Sequence, residues 1–254
     1  MKNLELCFET IKKAPKVTVL TGAGVSTLSG IPDFRGKNGF YTKGDLLYGV
    51  RREDLFDIGF FRKNPEIFYR YASEFLYPML AKEPSIAHKL LAAMQNKGFC
   101  QTIFTQNIDT LHSKAGAADV VELHGTMKDH FCTGCGTLYA LSEVLPQGEK
   151  GEVPLCKSCS GVIKPQVVFF GEMLPEKALD RAFSECAQTD ILLVMGSSLT
   201  VTPVANLPGV TLNRGGRLII VNEQSTPFDQ EAVFRFTDIG AFSQKLADYL
   251  ELSL

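Results

Sequence analysis

Residues 21–36 read T-G-A-G-V-S-T-L-S-G-I-P-D-F-R-G, and this stretch decides the fold. The run K-V-T-V-L at 16–20 before it is apolar and β-branched, long enough for a buried strand and too short for a buried helix. Gly22 and Gly24 therefore follow a strand, where they permit a sharp turn and let a phosphate approach backbone N–H groups. The pattern predicts a strand end that binds an anion.

The glycine pattern differs from the strict dinucleotide fingerprint G-x-G-x-x-G. Thr27 stands at the third glycine position, and no acidic residue ends the next predicted strand. Taken alone, G-A-G fits a plain strand-to-helix turn as well as a nucleotide site. Residues 31–36 also contain an aromatic ring, a carboxylate and a guanidinium, in Phe34, Asp33 and Arg35. A turn alone does not require these functional groups.

Composition is that of an ordinary soluble globular protein. The 254 residues are 45% hydrophobic and 21% charged, with a net charge of −2, which gives no reason to expect a nucleic-acid or membrane partner. The N-terminus lacks the basic start and apolar run of a signal peptide, and no apolar stretch approaches bilayer-spanning length. We therefore predict a cytoplasmic protein, and the sequence makes no prediction of its oligomeric state.

Six apolar runs separated mostly by helical patterns predict an open parallel sheet covered on both faces, the α/β class. These strands are expected at 16–20, 99–105, 120–123, 165–170, 191–195 and 217–221. Helices are expected at 3–13, 85–96, 175–187 and 240–252. The main domain is predicted to comprise 1–36, 81–125 and 163–254, whereas an aromatic-rich helical module at 37–80 and a cysteine-containing module at 126–162 form a small domain.

Polar residues follow several of the predicted strands. Residues 106–109 read Q-N-I-D, His124-Gly125 follows 120–123, and small or polar residues follow the last two strands at 196–198 and 222–223. The purely structural interpretations are that Asn107 or Asp109 caps a helix and that His124 has no role in binding or catalysis. Because parallel strands bring their carboxyl ends together, we favour a shared ligand site with His124 as general base.

Two Cys-x-x-Cys pairs carry the strongest single signal in the chain. Cys132 and Cys135 are separated by 20 residues from Cys156 and Cys159, the spacing of a zinc ribbon with four thiolate ligands. Four sulfur ligands leave no position for water, so the predicted Zn²⁺ is structural. A redox dithiol is the alternative, but it needs one pair and no second pair at this spacing.

Four other reactive side chains are interpreted as structural. Cys7, Cys100 and Cys186 lie in apolar surroundings and resemble small buried hydrophobes. His88 opens the helix 85–96 without a second ligand or carboxylate nearby in sequence, so we interpret it as a satisfied structural histidine.

Taken together, the motifs resemble those of the sirtuins, the NAD-dependent protein lysine deacylases, in order and over nearly the whole chain. They are the glycine-rich opening, T-Q-N-I-D at 105–109, L-H-G at 123–125, the paired Cys-x-x-Cys, F-F-G-E at 169–172, G-S-S at 196–198 and V-N at 221–222. The resemblance implies a Rossmann-like open parallel sheet and a small domain made of the helical insert and the zinc ribbon. It also implies NAD and one structural Zn²⁺ per chain.

The resemblance implies a role for each matching residue. The catalytic residues would be His124, Asn107 and Asp109. The NAD contacts would come from Gly22, Ala23, Gly24, Ser26, Thr27, Ile31, Asp33, Phe34, Arg35, Gln106, Asn107, Ile108, Asp109, His124, Gly196, Ser197, Ser198, Asn222, Glu223 and Ile239. An acyl-lysine peptide would add as a strand between two loops, with contacts from Val168, Phe170, Gly171, Glu172 and Val201.

The implied chemistry is acyl transfer to ADP-ribose with release of nicotinamide, and His124 takes a proton from the ribose hydroxyls. One departure from the family concerns acyl specificity. Members that remove acidic acyl groups carry a Tyr-x-x-Arg pair in the helical module, and the corresponding residues here are Ala72 and Phe75. We therefore expect acetyl or longer apolar acyl groups to be preferred.

Three rival functions were weighed against the deacylase. An NAD-dependent ADP-ribosyltransferase would use the same ribose electrophile with another nucleophile. An ordinary Rossmann dehydrogenase is disfavoured by Thr27 and the missing acidic residue. A zinc-ribbon binding module without activity leaves the polar strand ends unexplained.

Overall fold

The structure, a computed structural model, describes residues 2–36 and 39–254 and contains a six-stranded parallel sheet beside a small antiparallel sheet. The strands in chain order are β1 (Val17–Thr21), β2 (Leu46–Leu47), β3 (Val50–Arg51), β4 (Ile103–Thr105), β5 (Val120–Glu122), β6 (Gly125–Cys132), β7 (Leu138–Ala140), β8 (Ile163–Val167), β9 (Ile191–Met195), β10 (Arg217–Val221) and β11 (Phe234–Phe236). Strands β2 and β3 form a short separate hairpin.

The helices cover the large sheet on both faces and build the small part of the molecule. In chain order they are α1 (Lys2–Lys13), α2 (Ile58–Lys63), α3 (Pro65–Tyr71), α4 (Tyr77–Met79), α5 (Ile86–Asn96), α6 (Leu111–Lys114), α7 (Leu141–Gly148), α8 (Glu176–Cys186), α9 (Leu207–Asn213) and α10 (Ile239–Tyr249). The longer helices follow the sequence prediction to within a few residues. No helix in residues 2–36 and 39–254 is both long and apolar enough to cross a membrane.

The large sheet has the order β11-β10-β9-β1-β4-β5, and every pairing is parallel. Thr21 at the end of β1 is in register with Thr105 on one side and Met195 on the other. The chain leaves β1 for β4 and β5, and later returns on the opposite side with β9, β10 and β11. The strand order therefore reverses beside β1, which is where open α/β sheets form a ligand crevice.

Burial on both faces explains why the central strands are so apolar. Every residue of β1 and β9 is buried. Helices α1, α5 and α10 pack on one face, and α8 and α9 pack on the other. Each fully buried Val, Leu or Ile side chain contributes about 1.5–3 kcal/mol relative to an exposed one. The sheet is thus a rigid frame for the loops at its carboxyl edge.

The small part combines the antiparallel sheet β7-β6-β8 with the helices of the aromatic-rich segment. Its core contains Phe61, Phe68, Tyr69 and Phe169, all nearly or fully buried. Phe169 lies edge-on to Phe61, with ring centroids 5.5 Å apart. These aromatic residues are therefore core, as the sequence indicated, whereas Phe75 is exposed.

Two strand predictions are corrected by the structure. The strand expected at 165–170 is β8, which pairs antiparallel with β6 and not with the parallel sheet, whose sixth strand is β11. The strand expected at 99–105 is only Ile103–Thr105. A buried apolar run shows that a strand is buried, but it does not show which sheet the strand joins.

Candidate active site and metal centre

Two glycine turns pack backbone against backbone at the centre of the crevice. A Cβ on Gly22 would lie 2.7 Å from the Gly196 carbonyl oxygen, and one on Gly24 would lie 2.6 Å from Gly196 Cα. The amides of Gly22 and Gly24 donate to the carbonyls of Met195 and Gly196 at 3.0 and 2.9 Å. These two N–H groups therefore bind the neighbouring loop. The glycines are needed for close approach of the two turns.

Behind this turn, Ser26, Asn107 and Asp109 form one buried polar group. The Ser26 hydroxyl lies 2.5 Å from Asp109 Oδ2, and Asn107 Nδ2 donates to Ser26 Oγ and to the Gly22 carbonyl, both at 3.1 Å. Asp109 Oδ1 also accepts from the Leu111 amide at 2.9 Å. Asp109 therefore accepts from the first amide of α6, in agreement with the capping interpretation, and also belongs to the buried polar group.

His124 lies at the end of β5 with its ring in a defined tautomer. Its Nδ1 is 3.1 Å from the Gln106 carbonyl oxygen, which can only accept a hydrogen bond. Nδ1 therefore carries the proton, and Nε2 of the neutral ring carries a lone pair. In the described part of the chain, Nε2 has no hydrogen-bond partner.

Burial lowers the pKa of His124 below 6.5, and the hydrogen bond to the Gln106 carbonyl opposes this shift. The ring is half-buried. At neutral pH the imidazole is therefore uncharged and able to accept a proton at Nε2. This is the state that a general base requires.

A hydrogen bond between two side chains predicted to bind NAD joins the ends of β4 and β9. Gln106 Nε2 donates to the buried Ser197 Oγ at 2.7 Å. Asn222 is buried and donates to the Gln224 carbonyl at 2.9 Å. Ser198 is half-buried, Glu223 is exposed, and Ile239 begins α10.

The segment after the glycine turn reaches the same edge. Gln224 Nε2 is 3.4 Å from the Arg35 carbonyl, which links this segment to the end of β10. Arg35 is exposed, with its guanidinium 5.7 Å from the Tyr41 ring. Asp33 accepts from the Gly36 amide at 2.9 Å, so its carboxylate shapes the turn. The remaining predicted contacts in this region are Ala23 (half-buried), Thr27 (exposed), Ile31 (half-buried), Phe34 (exposed) and Ile108 (half-buried).

A buried lysine fixes the segment predicted to bind peptide. Lys164 is 1% exposed, and its Nζ donates to Glu172 Oε2 at 2.9 Å and to the Val167 carbonyl at 2.6 Å. Glu172 Oε2 also accepts from the Phe169 amide at 2.8 Å. The Lys164 ammonium lies 3.8 Å from the Phe169 ring centroid. Burial lowers the pKa of Lys164, and the contact with Glu172 raises it.

Beside this segment lies an open cleft of about 540 Å³ lined by residues of α2, β8 and 171–173. Val168 and Gly171 are on its wall. Phe170 is exposed, and Val201 of the second predicted peptide loop is half-buried. The Phe170 amide donates to the Phe56 carbonyl at 2.7 Å, so the segment is already paired along one side.

The four paired cysteines form a compact thiolate cluster. The Sγ atoms of Cys132, Cys135, Cys156 and Cys159 all lie within 4.8 Å of one another. The Cys132–Cys159 and Cys135–Cys156 sulfur distances are 3.4 and 3.6 Å. Tetrahedral zinc with Zn–S bonds of about 2.3 Å places its sulfur atoms about 3.8 Å apart, so the cluster fits Zn²⁺.

Local backbone geometry supports the same metal assignment. The Gly134 amide points to Cys132 Sγ at 3.3 Å, and the Ser158 amide points to Cys156 Sγ at 3.4 Å. A Cβ on Gly161 would lie 2.9 Å from Cys132 Sγ, so only glycine fits there. The other cysteines, Cys7, Cys100 and Cys186, are buried, and burial raises the pKa of each thiol to about 12.

Two buried contacts are not predicted from the sequence. They are the contact between His88 and His112 and the ion pair of Lys164 with Glu172. His88 and His112 are buried with ring centroids 4.6 Å apart, and His112 Nε2 is 2.9 Å from Thr21 Oγ1. Burial, and then the neighbouring His88, lower the pKa of His112. These partners lie far apart in sequence, so no local motif predicts their contacts.

Comparison with known proteins identifies the molecules that this chain resembles. The profile of the Sir2 family matches residues 22–203. An NAD-dependent protein deacetylase of Thermotoga maritima is 42% identical over 241 residues, 94% of this chain and 95% of that protein. An NAD-dependent protein deacylase of Archaeoglobus fulgidus is 38% identical over 244 residues, 96% of this chain and 93% of its own.

Solved structures match over almost the whole fold. A Sir2 complex with a p53 peptide and NAD⁺ has a TM-score of 0.88 at 40% identity, covering 98% of each chain. A Sir2 complex with an inhibitor, 2′-O-acetyl-ADP-ribose and a deacetylated p53 peptide has a TM-score of 0.86 at 39% identity, covering 98% of this chain and 100% of that one.

Proposed function

Because this chain belongs to the Sir2 family, we propose that it is an NAD-dependent protein lysine deacylase, which transfers the acyl group from lysine to ADP-ribose and releases nicotinamide. The observation that carries the proposal is His124, held with a bare Nε2 at the same sheet edge as Ser26, Asn107 and Asp109. A neutral base and a buried amide–carboxylate group are the parts that this chemistry needs.

The residues present fit NAD. The Asn107 amide hydrogens go to Gly22 and Ser26, which leaves its Oδ1 without a protein donor among the described residues. Arg35 offers an exposed guanidinium for phosphate. When bound, NAD supplies the nicotinamide–ribose bond whose cleavage makes the ribose carbon electrophilic. The contacts assigned by the resemblance remain our proposal for how this chain holds it.

His124 would accept a proton at Nε2 from the ribose hydroxyls. The Gln106 carbonyl then stabilises the imidazolium through the Nδ1–H bond already present at 3.1 Å. Asn107 and Asp109 would orient the nicotinamide end, and Ser197 and Asn222 the adenosine end. Exclusion of water by the buried turn favours transfer of the acyl group to ribose.

The zinc ion would have a structural role. Four thiolates fill a tetrahedral shell and leave no open position for a substrate. We propose that the ribbon at 126–162 and the helical module at 37–80 form a small domain on the main domain at 1–36, 81–125 and 163–254. Limited proteolysis with and without a chelator tests this division.

We also propose that acyl-lysine peptides bind as an added strand beside Gly171 and Glu172, opposite the loop that contains Val201. Gly171 is exposed, and its amide has no protein acceptor in the described part of the chain, which supports the proposal. Solved relatives include complexes with acetylated peptide. Backbone pairing of this kind reads side chains weakly, so modest sequence selectivity is expected.

We place the enzyme in the cytoplasm because its seven cysteines comprise four metal-type ligands and three buried thiols, and all seven are free. No nucleic-acid partner is proposed. Cell fractionation followed by immunodetection tests the location.

The function is tested with NAD and a panel of acyl-lysine peptides, with products identified by mass spectrometry. Formation of 2′-O-acyl-ADP-ribose by the wild type and its loss in His124→Ala are expected. Label from NAD on protein without deacylation would support an ADP-ribosyltransferase. Lys157→Met, on the exposed ribbon surface, is a control with expected wild-type activity.

The same panel tests acyl preference. Ala72 is buried, and Phe75 stacks on Tyr71 with ring centroids 5.1 Å apart, so neither residue provides a countercharge for an acidic acyl chain. A much lower rate on succinyl-lysine than on acetyl-lysine is expected. Equal rates would show that another cation receives the acid.

A further inference from the structure

The open cleft of about 540 Å³ beside the predicted peptide segment has an excess of positive charge on its walls. Three charged side chains line it, namely Arg62 of α2, Lys164 and Glu172. Lys164 Nζ and Glu172 Oε2 form an ion pair at 2.9 Å. Arg62 is exposed and takes part in no ion pair within residues 2–36 and 39–254. The guanidinium of Arg62 is therefore the uncompensated charge on these walls.

Helix α2 places Arg62 beside the peptide segment. The amide of Ile58, the first residue of α2, donates to the Phe170 carbonyl at 3.1 Å. A Cβ on Gly171 would lie 3.1 Å from Ile58 Cγ2, so the Ile58 side chain is next to Gly171. Residues four apart lie on the same face of a helix, and both Ile58 and Arg62 line the cleft. The guanidinium is thus carried by a helix that is hydrogen-bonded directly to the proposed peptide site.

The other groups on the walls suit a carboxylate on a short apolar stem. A guanidinium can form two parallel hydrogen bonds to a carboxylate. Gln166 is half-buried on the same wall, and its side-chain amide has no hydrogen-bond partner in the part of the chain that the structure describes. This amide offers further donors, while Ile58, Phe131 and Met173 provide apolar surface for methylene groups. An aspartate or glutamate side chain therefore matches the walls in charge, hydrogen bonding and apolar surface.

The charges on the walls also disfavour other side chains. Glu172 accepts from Lys164 and from the Phe169 amide, and its negative charge opposes a doubly charged phosphate group. A lysine or arginine side chain would meet Arg62 with like charge. A single carboxylate brings the three charged side chains of the cleft to neutrality, so it is the best match among charged groups.

The proposed binding mode brings substrate side chains to this cleft. A peptide that adds as a strand points successive side chains to opposite faces. Gly171 and Glu172 belong to the predicted peptide contacts and also line the cleft. Side chains on one face of the added strand therefore pass along the wall that contains Arg62.

We propose that this cleft is a subsite for an acidic side chain of the substrate, close in sequence to the acyl-lysine, and that Arg62 is the residue that selects it. The inference rests on the proposed deacylase function and deepens it. It adds one charged contact to recognition that otherwise depends on backbone pairing.

The test measures the Kd of acetyl-lysine peptides by calorimetry and their KM in deacylation. Each peptide carries glutamate at one of the three positions on either side of the acetyl-lysine, and its matched control carries glutamine there. Glutamate at one position is expected to lower Kd and KM about 3- to 10-fold, with kcat unchanged, because one partly shielded carboxylate–guanidinium contact is added. Equal constants for glutamate and glutamine at every position overturn the inference.

Substitutions on α2 show whether the preference depends on Arg62. Arg62→Gln is expected to remove the advantage of the glutamate peptide and to leave the constants of the glutamine peptide unchanged. Arg62→Glu is expected to reverse the preference, so that lysine at the same position binds more tightly than glutamine. Retention of the glutamate preference in either variant overturns the inference.

Lys63→Gln is the matched control, because it removes a positive charge from the next position of α2, which does not line the cleft. It should keep the glutamate preference of the wild type. A loss of preference equal to that in Arg62→Gln would show that the effect comes from the overall charge of the helix, and this result overturns the inference.

Direct binding separates failure of this inference from failure of the proposed function, since calorimetry needs neither NAD nor turnover. A wild type that prefers the glutamate peptide through Arg62 but forms no acyl-ADP-ribose supports the acidic subsite and defeats the proposed function. A wild type that forms acyl-ADP-ribose without the preference defeats the inference alone. A wild type that binds no acetyl-lysine peptide defeats both.

Discussion

The parallel sheet and the cysteine ribbon hold their shapes by different means. Strands β1 and β9 are buried along their whole length between two layers of helices. Among residues 2–36 and 39–254, the separate core of the ribbon is formed by Cys132, Tyr139, Val144, Cys156 and Ile163, and two of these are metal-type ligands. The sheet is thus stabilised by apolar burial, whereas the ribbon depends on its metal. One chain thus combines a sheet whose loop-bearing edge is rigid with a module whose stability depends on bound zinc.

Metal removal should produce the largest effect and separate the two regions. Structural zinc sites of this kind contribute about 10–16 kcal/mol of binding free energy at neutral pH. Cys156→Ser, or a chelator, is expected to abolish zinc binding and expose the ribbon amides to hydrogen exchange, while the amides of β1 and β9 stay protected. Exchange is measured by mass spectrometry.

Cys186→Ala is the matched control, because this buried cysteine lies in the core of the large sheet and far in sequence from the cluster. It should retain one zinc per chain. Loss of protection in β1 upon zinc removal would contradict the separation of the two regions.

Removing the buried ammonium of Lys164 should give the next largest effect. Strand β8 belongs to the ribbon sheet and is followed by the segment that we propose binds peptide. Lys164 on β8 contacts this segment through Glu172. Breaking one partner of a buried ion pair costs about 3–5 kcal/mol, so Lys164→Met should lower the free energy of unfolding and raise the peptide KM. Chemical denaturation and steady-state kinetics measure these effects.

Lys157→Met serves as the control for Lys164→Met. The Lys157–Glu143 pair is 3.8 Å long, and the Lys157 side chain is 78% exposed, so its loss should change stability by less than about 1 kcal/mol. A similar loss of unfolding free energy in both variants would mean that the burial of Lys164 does not affect stability.

Adding a methyl group at the glycine turn tests the rigidity of the sheet edge. Gly24→Ala puts a Cβ 2.6 Å from Gly196 Cα, where backbone atoms have little room to shift. Overpacking of this kind costs about 1–3 kcal/mol, and NAD affinity should fall with it. Thermal unfolding and calorimetric titration provide the two readouts.

Gly209→Ala is the opposite control. This glycine lies within α9, and the nearest neighbour of an added Cβ is the Phe228 ring at 3.9 Å. Alanine is favoured over glycine in a helix by about 1 kcal/mol, so stability should rise and NAD affinity should not change. Equal behaviour of the two variants would argue against close packing of the turns.

The smallest effect is expected for pH near neutrality. Because burial lowers the pKa of His124 below 6.5, the base form predominates from pH 7 to 8 and kcat/KM should be nearly constant there. Protonation removes the base, so kcat/KM should fall about tenfold per unit once the pH is below that pKa. An inflection above pH 7 in the wild-type profile would contradict this assignment.

The sequence was most informative where burial or chemistry is local. The apolar runs of β9 and β10 predicted central strands because both faces of each strand are covered. The spacing of Cys132 to Cys159 predicted a thiolate cluster, since each pair needs only one short turn. The helix predicted at 85–96 was likewise found as α5, since the helical spacing of apolar residues is a local signal.

The features that could not be predicted from the sequence depend on contacts between residues far apart in the chain. The short β11 has one buried residue of three and lacks a continuous apolar run, so the run that continues β8 took its place in the predicted sheet. His88 meets Ser26 across 62 positions of chain, so no short sequence window contains both partners. The physical role of Gly22 and Gly24 also depends on Gly196, far along the chain.

The contact between Gly24 and Gly196 has a consequence for how this pocket can evolve or be redesigned. The main chains of Gly22, Gly24 and Gly196 touch directly, so a larger residue at any of these positions would force the two turns apart. If the proposed NAD contacts are correct, we expect binding of the two ends of the dinucleotide to be coupled. We therefore expect discrimination between related cofactors to come from exposed residues beside the turns, such as Glu223.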